Sequence, residues 1–333
     1  MHFHLFLSAA VFLLPFQLQA AGFERITLAS SPAIDIGIWY PSSSPVPDAA
    51  NTPFRQAVAM NGTPEGSGLP MVLLSHGNGG WMGGHADTAL ALAEAGYVAV
   101  ALTHPGDNGE DESASPSEWL ISRPADISET IDYMLSDWTY ADRIDPGRVG
   151  VFGFSAGAYT ALVVAGAVPG LTLARQRCFD VPDEFTCGIG MLDDVDPAEL
   201  GPRLRDVAGD DRVSAVSAAA PGLGYGFDKT ALADVSVPVQ IWSGAIDDRV
   251  PHDTNGANIA ANLPNMPEVH VVENAGHFAF LAECDPRLRE INPEIWNMVC
   301  VDADGFDRAA FHQLFNKKII EFFDSSLPRP DRQ

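Results

Sequence analysis

Residues 148–158 read RVGVFGFSAGA, a short apolar run that ends in a Gly-x-Ser-x-Gly pattern centred on Ser155. The run predicts a buried strand, and the Ala-rich segment that follows predicts a helix. Where a strand turns sharply into a helix, the backbones beside the serine leave room only for glycine, and the serine stands exposed. The pattern is weak alone in a glycine-rich chain, so its place between strand and helix carries the prediction. We predict that Ser155 is a nucleophile.

Strand and helix patterns alternate on both sides of this turn. Apolar runs predict strands at residues 25–29, 34–40, 71–75, 97–103, 148–153, 213–220, 237–243 and 269–273. Helical spacing or composition predicts helices at 84–95, 124–136, 156–167, 255–262 and 307–323, with loops at 41–68 and 107–118. Strands separated by helices pair in parallel through right-handed crossovers. The sequence therefore predicts the α/β class, with a mostly parallel central sheet flanked by helices.

One segment, at about residues 168–212, interrupts this alternation. It contains two cysteines, several prolines and many aspartates. We interpret it as a surface excursion or partial cap on a single domain that spans residues 21–333. The acidic cluster Asp193, Asp194 and Asp196 within it is interpreted as a solvated face.

A nucleophilic serine needs a histidine base, which in turn needs a carboxylate to orient it. The predicted strand 237–243 leads into a loop that holds Asp247, and the next strand leads into Asn274-Ala-Gly-His277. Serine, acid and histidine thus follow one another along the chain, each after the end of a strand. We predict Asp247 as the acid and His277 as the base, with Asp248 as the alternative acid.

A glycine-rich loop, His76-Gly-Asn78-Gly-Gly80, follows the predicted strand 71–75. Glycines allow backbone N–H groups to approach a ligand closely, as an oxyanion hole requires. We predict the N–H groups of Asn78 and Ala156 as the two oxyanion donors. Three histidines that follow or flank strand ends are candidates for lining the site: His76, His85 and His104. Three aromatic residues are candidates for lining an acyl or aromatic pocket, with a place in the core as the alternative: Trp81, Trp119 and Phe278.

These stretches together resemble the α/β-hydrolase superfamily over about residues 25–323. More narrowly, they resemble predicted dienelactone hydrolases and the platelet-activating-factor acetylhydrolase-like group. The segments that carry the resemblance are residues 39–41, 75–80, 123–126, 153–157 and 275–278. The resemblance implies the same triad, Ser155, Asp247 and His277, and a place for Asn78 in the oxyanion hole. Dienelactone hydrolases have cysteine as nucleophile, so the serine favours an ordinary carboxylic ester over a lactone.

Composition limits the partners that this chain is expected to bind. It has 44 acidic and 19 basic side chains among 333 residues, and a formal net charge of −25. An excess of carboxylates argues against nucleic acid and anionic membranes, which require Lys and Arg. We expect a small-molecule ester as the partner and no cofactor or metal. Residues 302–305 match part of a calcium loop but lack its third acidic ligand and distal glutamate.

The first twenty residues, MHFHLFLSAAVFLLPFQLQA, are nearly all apolar and predict a signal peptide cleaved near Ala20, with an uncleaved anchor as the alternative. Four cysteines without a CxxC pair favour disulfides over a zinc site. Three pairings are possible, and loop-closure entropy favours Cys178–Cys187 and Cys284–Cys300. We predict export to the periplasm or the extracellular space, without stable membrane insertion after cleavage.

The predicted function is hydrolysis of carboxylic esters through an acyl-enzyme on Ser155. Three alternatives remain open on the same residues. An acyltransferase would exclude water from the second half-reaction. A lactone or polyester hydrolase would use the same triad on another substrate. A catalytically inactive hydrolase fold would serve as a binding protein.

Overall fold

The computed structural model describes residues 20–327, and the strands in this range form a single sheet. Their bounds are β1 (Ala21–Leu28), β2 (Ile34–Pro41), β3 (Ala59–Met60), β4 (Leu69–Ser75), β5 (Val98–Thr103), β6 (Ile144–Phe154), β7 (Val213–Ala219), β8 (Val239–Gly244) and β9 (Glu268–Val272). The order across the sheet is β3-β1-β2-β5-β4-β6-β7-β8-β9. Neighbours from β5 to β9 pair in parallel, and β2 pairs antiparallel with both β1 and β5. The predicted α/β class is confirmed.

Helices connect these strands and cover both faces of the sheet. Their bounds are α1 (Ala86–Glu94), α2 (Pro116–Ser136), α3 (Ala156–Val164), α4 (Leu171–Asp180), α5 (Phe185–Gly188), α6 (Pro197–Val207), α7 (Gly256–Asn262), α8 (Leu288–Ile291), α9 (Pro293–Ile295) and α10 (Arg308–Ser326). The core therefore has two layers, one on each side of the sheet. Strand β4 is buried along its whole length, as expected of a central parallel strand.

Helix α2 begins two turns earlier than the sequence predicts. The prediction placed its start at Pro124, because proline favours the first turn of a helix. The first-turn proline is instead Pro116, and Ser115 forms a capping box with Glu118. The prediction of a loop at residues 107–118 is therefore wrong for residues 116–118, which belong to the helix. The additional turns bury Trp119, which helps to close the core below the site.

The predicted excursion at residues 168–212 consists largely of the helices α4, α5 and α6. Leu171, Leu200 and Leu204 from this segment join the same apolar core as the sheet. Asp193, Asp194 and Asp196 are exposed, and Asp196 caps α6 by accepting the Ala198 N–H at 2.8 Å. The segment is thus packed on the domain rather than lying loosely on its surface.

The cysteines form the two favoured disulfides. Cys178–Cys187 joins α4 to α5, and Cys284–Cys300 closes a loop after β9. Disulfides form and persist in oxidising environments. Residues 1–19 of the predicted signal peptide lie outside the described residues. Within residues 20–327, no helix has the length and apolar character needed to cross a membrane.

Candidate active site

Ser155 occupies the sharp turn between β6 and α3. Its backbone has φ 54° and ψ −114°, a conformation that a non-glycine residue adopts only under strain. A Cβ atom on Gly153 would lie 2.1 Å from the Gly157 carbonyl oxygen, and one on Gly157 would lie 2.0 Å from the Ser75 carbonyl oxygen. No side chain fits at those distances, so both glycines are required. The Ser155 N–H donates to the Ala219 carbonyl at 2.9 Å, which fixes the turn to β7.

The structure brings together the three predicted residues of the triad, with His277 between Ser155 and Asp247. His277 Nε2 lies 3.1 Å from Ser155 Oγ, and His277 Nδ1 lies 2.8 Å from Asp247 Oδ2. The carboxylate accepts a hydrogen bond from the Nδ1–H group, so Nε2 carries no proton and can accept the hydroxyl proton of Ser155. The geometry is that of a nucleophile, a base and an orienting acid.

The loop after β8 holds the Asp247 side chain, which is fully buried. Its Oδ1 accepts the N–H groups of Arg249 at 2.9 Å and Val250 at 2.8 Å. These bonds set the direction of the second oxygen toward His277. The alternative acid, Asp248, is exposed, and the structure gives it no contact with the His277 ring.

The glycine-rich loop after β4 forms one wall of the site, where Gly77 and Asn78 border the same cavity as Ser155 and Ala156. Asp107 fixes this loop: its Oδ1 accepts the Asn78 side-chain amide at 2.6 Å and the Gly79 N–H at 3.0 Å. No hydrogen bond in the turns and loops of residues 20–327 uses the N–H of Asn78 or Ala156. Both groups are therefore available to an oxyanion.

A buried ion pair between Arg123 and Asp107 holds the glycine-rich loop in place. Arg123 Nη1 lies 3.1 Å from Asp107 Oδ2, and both side chains are almost entirely excluded from solvent. Arg123 also donates to the His76 carbonyl oxygen. Burial lowers the pKa of Arg123, and Asp107 opposes that shift. Removal of either partner would leave the other charge buried and unpaired.

His76 and His104 lie beneath the loop and do not border the cavity, contrary to the candidacy that their positions suggested. His76 Nε2 accepts the His104 N–H at 3.1 Å, so its proton is on Nδ1, 2.6 Å from the Gly77 carbonyl oxygen. Burial lowers the pKa of His76 well below its ordinary value, and the Arg123 charge adds to this. The ring is a neutral structural element that holds the loop.

A second serine, histidine and aspartate make contact in the core, and the sequence reasoning missed them as a unit. Ser75 Oγ lies 2.9 Å from His104 Nε2, and His104 Nδ1 lies 2.8 Å from Asp126 Oδ2. Burial raises the pKa of Asp126 to about 8 and lowers that of His104. Ser75 is fully buried and does not border the cavity. These three side chains therefore have a structural role, in which they connect the ends of β4 and β5 to α2.

A cavity of about 110 Å³ opens beside Ser155. Its walls are largely apolar and aromatic: Trp119, Phe154, Tyr159, Phe185, Ile189, Met191, Leu223, Val250 and Phe278. The candidates Trp119 and Phe278 are among them, whereas Trp81 packs against Phe54 away from the wall, and His85 packs against Phe152 and Phe154. The excursion, interpreted from the sequence as a possible partial cap, supplies part of this wall through four residues that the sequence analysis did not single out: Phe185, Thr186, Ile189 and Met191.

The described residues contain no group of three His, Cys, Asp or Glu side chains placed to hold a metal ion. In the segment that matched part of a calcium loop, Asp302 instead pairs with Arg308, with Nη2 2.8 Å from Oδ1. Its carboxylate serves to anchor the start of α10.

The fold and the site have the features of an α/β hydrolase, and sequence comparison agrees. A model of the alpha/beta hydrolase family matches residues 71–288, and the chain belongs to this family. Among solved structures, a ferulic acid esterase from Streptomyces cinnamoneus is similar, with a TM-score of 0.62 and 17% sequence identity over 97% of this chain and 96% of that chain. At this identity the likeness supports the fold alone. No curated protein matches the chain.

Proposed function

We propose that this protein is a serine hydrolase that cleaves carboxylic esters. The observation that carries the proposal is the contact of Ser155 Oγ with His277 Nε2 at 3.1 Å, at the wall of an apolar cavity. Membership of the alpha/beta hydrolase family supports a hydrolase, and one protein of the same fold is named as a ferulic acid esterase. The narrower kinship with dienelactone hydrolases and platelet-activating-factor acetylhydrolases remains a prediction.

Acylation begins when His277 removes the Ser155 proton as Oγ attacks the ester carbonyl carbon. The imidazolium that forms is stabilised by the buried carboxylate of Asp247. The carbonyl oxygen gains negative charge beside the N–H groups of Asn78 and Ala156, at the N-terminus of α3. His277 then gives its proton to the leaving alcohol, and an acyl-enzyme ester remains on Ser155.

Deacylation repeats these steps with water in place of the serine hydroxyl. His277 removes a proton from water, which attacks the acyl carbon, and the acid leaves as Ser155 recovers its proton. The oxyanion again forms beside Asn78 and Ala156. The residues of the site carry out every proton transfer in this scheme.

Export is part of the proposal. The two disulfides require an oxidising compartment to form and persist. The apolar residues 1–20 provide a signal sequence. A mature protein whose N-terminus begins near Ala21 in a periplasmic or culture fraction would support both statements.

The test of the proposal is labelling by a fluorophosphonate probe, followed by mapping of the modified peptide. We expect the probe on Ser155, no label in Ser155→Ala, and a fall in kcat of about 10⁴-fold or more on p-nitrophenyl esters. Ser75→Ala is a matched control, because Ser75 also contacts a His–Asp pair but is buried. It should retain the label. A wild-type protein that does not label would contradict the proposal, as would label that persists in Ser155→Ala.

A further inference from the structure

Among the described residues that line the cavity, Arg249 is the one whose side chain carries a permanent positive charge. It follows Asp247 by two residues, so the loop that holds the acid also fixes its backbone. Its guanidinium carbon lies 4.3 Å from the centre of the Phe185 ring and 4.8 Å from that of Phe278. Contacts of a cation with aromatic rings stabilise its position. The guanidinium thus lies at a defined place on the wall of the cavity that Ser155 also borders.

Other arginines of limited exposure are paired with carboxylates or donate to backbone carbonyl oxygens, and Arg249 does neither. The paired ones are Arg123 with Asp107, Arg177 with Glu184, Arg212 with Asp210, and Arg308 with Asp302. Within residues 20–327, the Arg249 guanidinium has neither an ion pair nor a hydrogen bond. Carboxylates are plentiful in a chain with 44 acidic and 19 basic side chains. An unpaired arginine at this position is therefore a specific feature of the cavity.

The carboxylates nearest in sequence do not neutralise Arg249. Asp247 is engaged by His277 and by two backbone N–H groups of its own loop. Asp248 is exposed and forms no ion pair with Arg249 in the structure as described. Placing a half-buried cation against apolar walls removes part of its hydration without replacing it. A ligand anion would restore that lost interaction.

We propose that Arg249 binds a carboxylate group carried by the ester substrate, which makes the preferred substrate a half-ester or another anionic ester. The inference rests on the proposed hydrolysis at Ser155. A guanidinium presents its N–H donors in a planar fork that matches a carboxylate. The aromatic residues that border the same cavity as Arg249 and Ser155, among them Phe278, suit a flat ring that bears the carboxylate. The substrate class is therefore an aromatic ester with one free carboxylate, which is on either the acyl group or the leaving group.

Two pairs of esters test this inference, and each pair differs only in the charge of one substituent. Methyl 4-carboxybenzoate and methyl 4-carbamoylbenzoate carry the substituent on the acyl group. 4-Acetoxybenzoate and 4-acetoxybenzamide carry it on the leaving group. The measurement is kcat and KM for each ester with wild type, Arg249→Gln and Arg287→Gln. Arg287 is exposed on the surface, so its variant makes the same change in net charge away from the cavity.

We expect wild type to prefer the carboxylate member of at least one pair, and the pair concerned shows which side of the ester faces Arg249. Arg249→Gln should lower kcat/KM for that ester by about 10- to 100-fold, mainly through KM, because a hydrogen bond to a charged group is lost. The amide partner should change by less than about threefold, as an uncharged group gains little from the guanidinium. Arg287→Gln should leave both values near wild type.

An equal loss on both members of a pair would assign Arg249 a structural role and overturn the inference. So would a protein that labels with fluorophosphonate at Ser155 but hydrolyses neither carboxylate ester faster than its amide partner. Absence of the label on Ser155 would instead mean that the proposed hydrolase function has failed. The labelling result therefore separates the two failures.

Discussion

Ser155 shows how single atoms decide this site. The serine is held at φ 54° because β6 must turn into α3 within one residue. This turn requires neighbouring backbones to approach one another closely. The approach is possible only because Gly153 and Gly157 have no Cβ atom. Packing on both sides of the turn offsets the backbone strain at Ser155. The strained conformation places Ser155 Oγ beside His277.

Gly153→Ala tests this requirement against Gly147→Ala in the same strand. A Cβ at Gly153 would meet the Gly157 carbonyl oxygen at 2.1 Å, whereas at Gly147 its nearest neighbour is the Asp145 carboxylate at 3.5 Å. We expect Gly153→Ala to lower the free energy of unfolding by about 3 kcal/mol or more and to abolish labelling of Ser155. Gly147→Ala should change it by less than about 1 kcal/mol. Urea unfolding monitored by fluorescence measures both, and equal costs would contradict the packing argument.

At the scale of elements, the excursion completes the cavity. Helix α5 supplies Phe185 and Thr186 to the wall, and Ile189 follows it. With only one turn, α5 cannot hold its own position. The Cys178–Cys187 disulfide ties it to α4, whose Leu171 and Ala174 are anchored in the core. The wall above Ser155 therefore depends on this crosslink.

Removing each disulfide separates a role in the cavity from a role in stability. Both Cys178→Ser/Cys187→Ser and Cys284→Ser/Cys300→Ser should lower the free energy of unfolding by about 2–3 kcal/mol, because short loops are no longer closed in the unfolded chain. The first pair should also raise KM for aromatic esters by about tenfold, equivalent to about 1.4 kcal/mol of binding. The second pair closes a loop away from the cavity and should leave KM unchanged. Equal KM values in both double variants would contradict the role assigned to α5.

The whole molecule carries a formal charge of −25, and this affects its stability more than its fold. Few of the carboxylates have an Arg or Lys partner, since acidic side chains outnumber basic ones by 44 to 19. Mutual repulsion among these surface charges opposes the compact state. The apolar layers on both faces of the sheet must offset it.

Salt should therefore stabilise the protein. Between about 0.02 M and about 1 M NaCl the Debye length falls from roughly 20 Å to about 3 Å, which screens repulsion between surface carboxylates. We expect the melting temperature at pH 8 to rise by several degrees over this range. Near pH 4.4, the pI calculated from the sequence, the net charge is close to zero and the rise should disappear. A flat or falling melting temperature at pH 8 would show that the charge has no such cost.

Local sequence was sufficient for the features that depend on near neighbours in the chain. Apolar runs predicted the strands from β4 to β8 to within a few residues, because buried parallel strands require continuous apolar side chains. The glycines around Ser155 marked the turn, since only glycine permits that approach of backbones. Strand ends, taken in order, selected Asp247 and His277, because parallel strands bring their ends to one edge of the sheet. The structure places all three side chains in contact.

Tertiary structure alone decided what depends on distant contacts. No local pattern joins Asp107 to Arg123, or Ser75 to His104 and Asp126, because each contact forms only when separate strands and α2 pack together. The early start of α2 and the wall supplied by α5 follow from the same packing. Arg249 is one of many arginines in the sequence, and only the folded chain shows it on the wall of the cavity that Ser155 borders, without a carboxylate partner among the described residues. Sequence thus determined which residues form the candidate triad, and packing determined the contacts that hold them and the side chains that line the cavity.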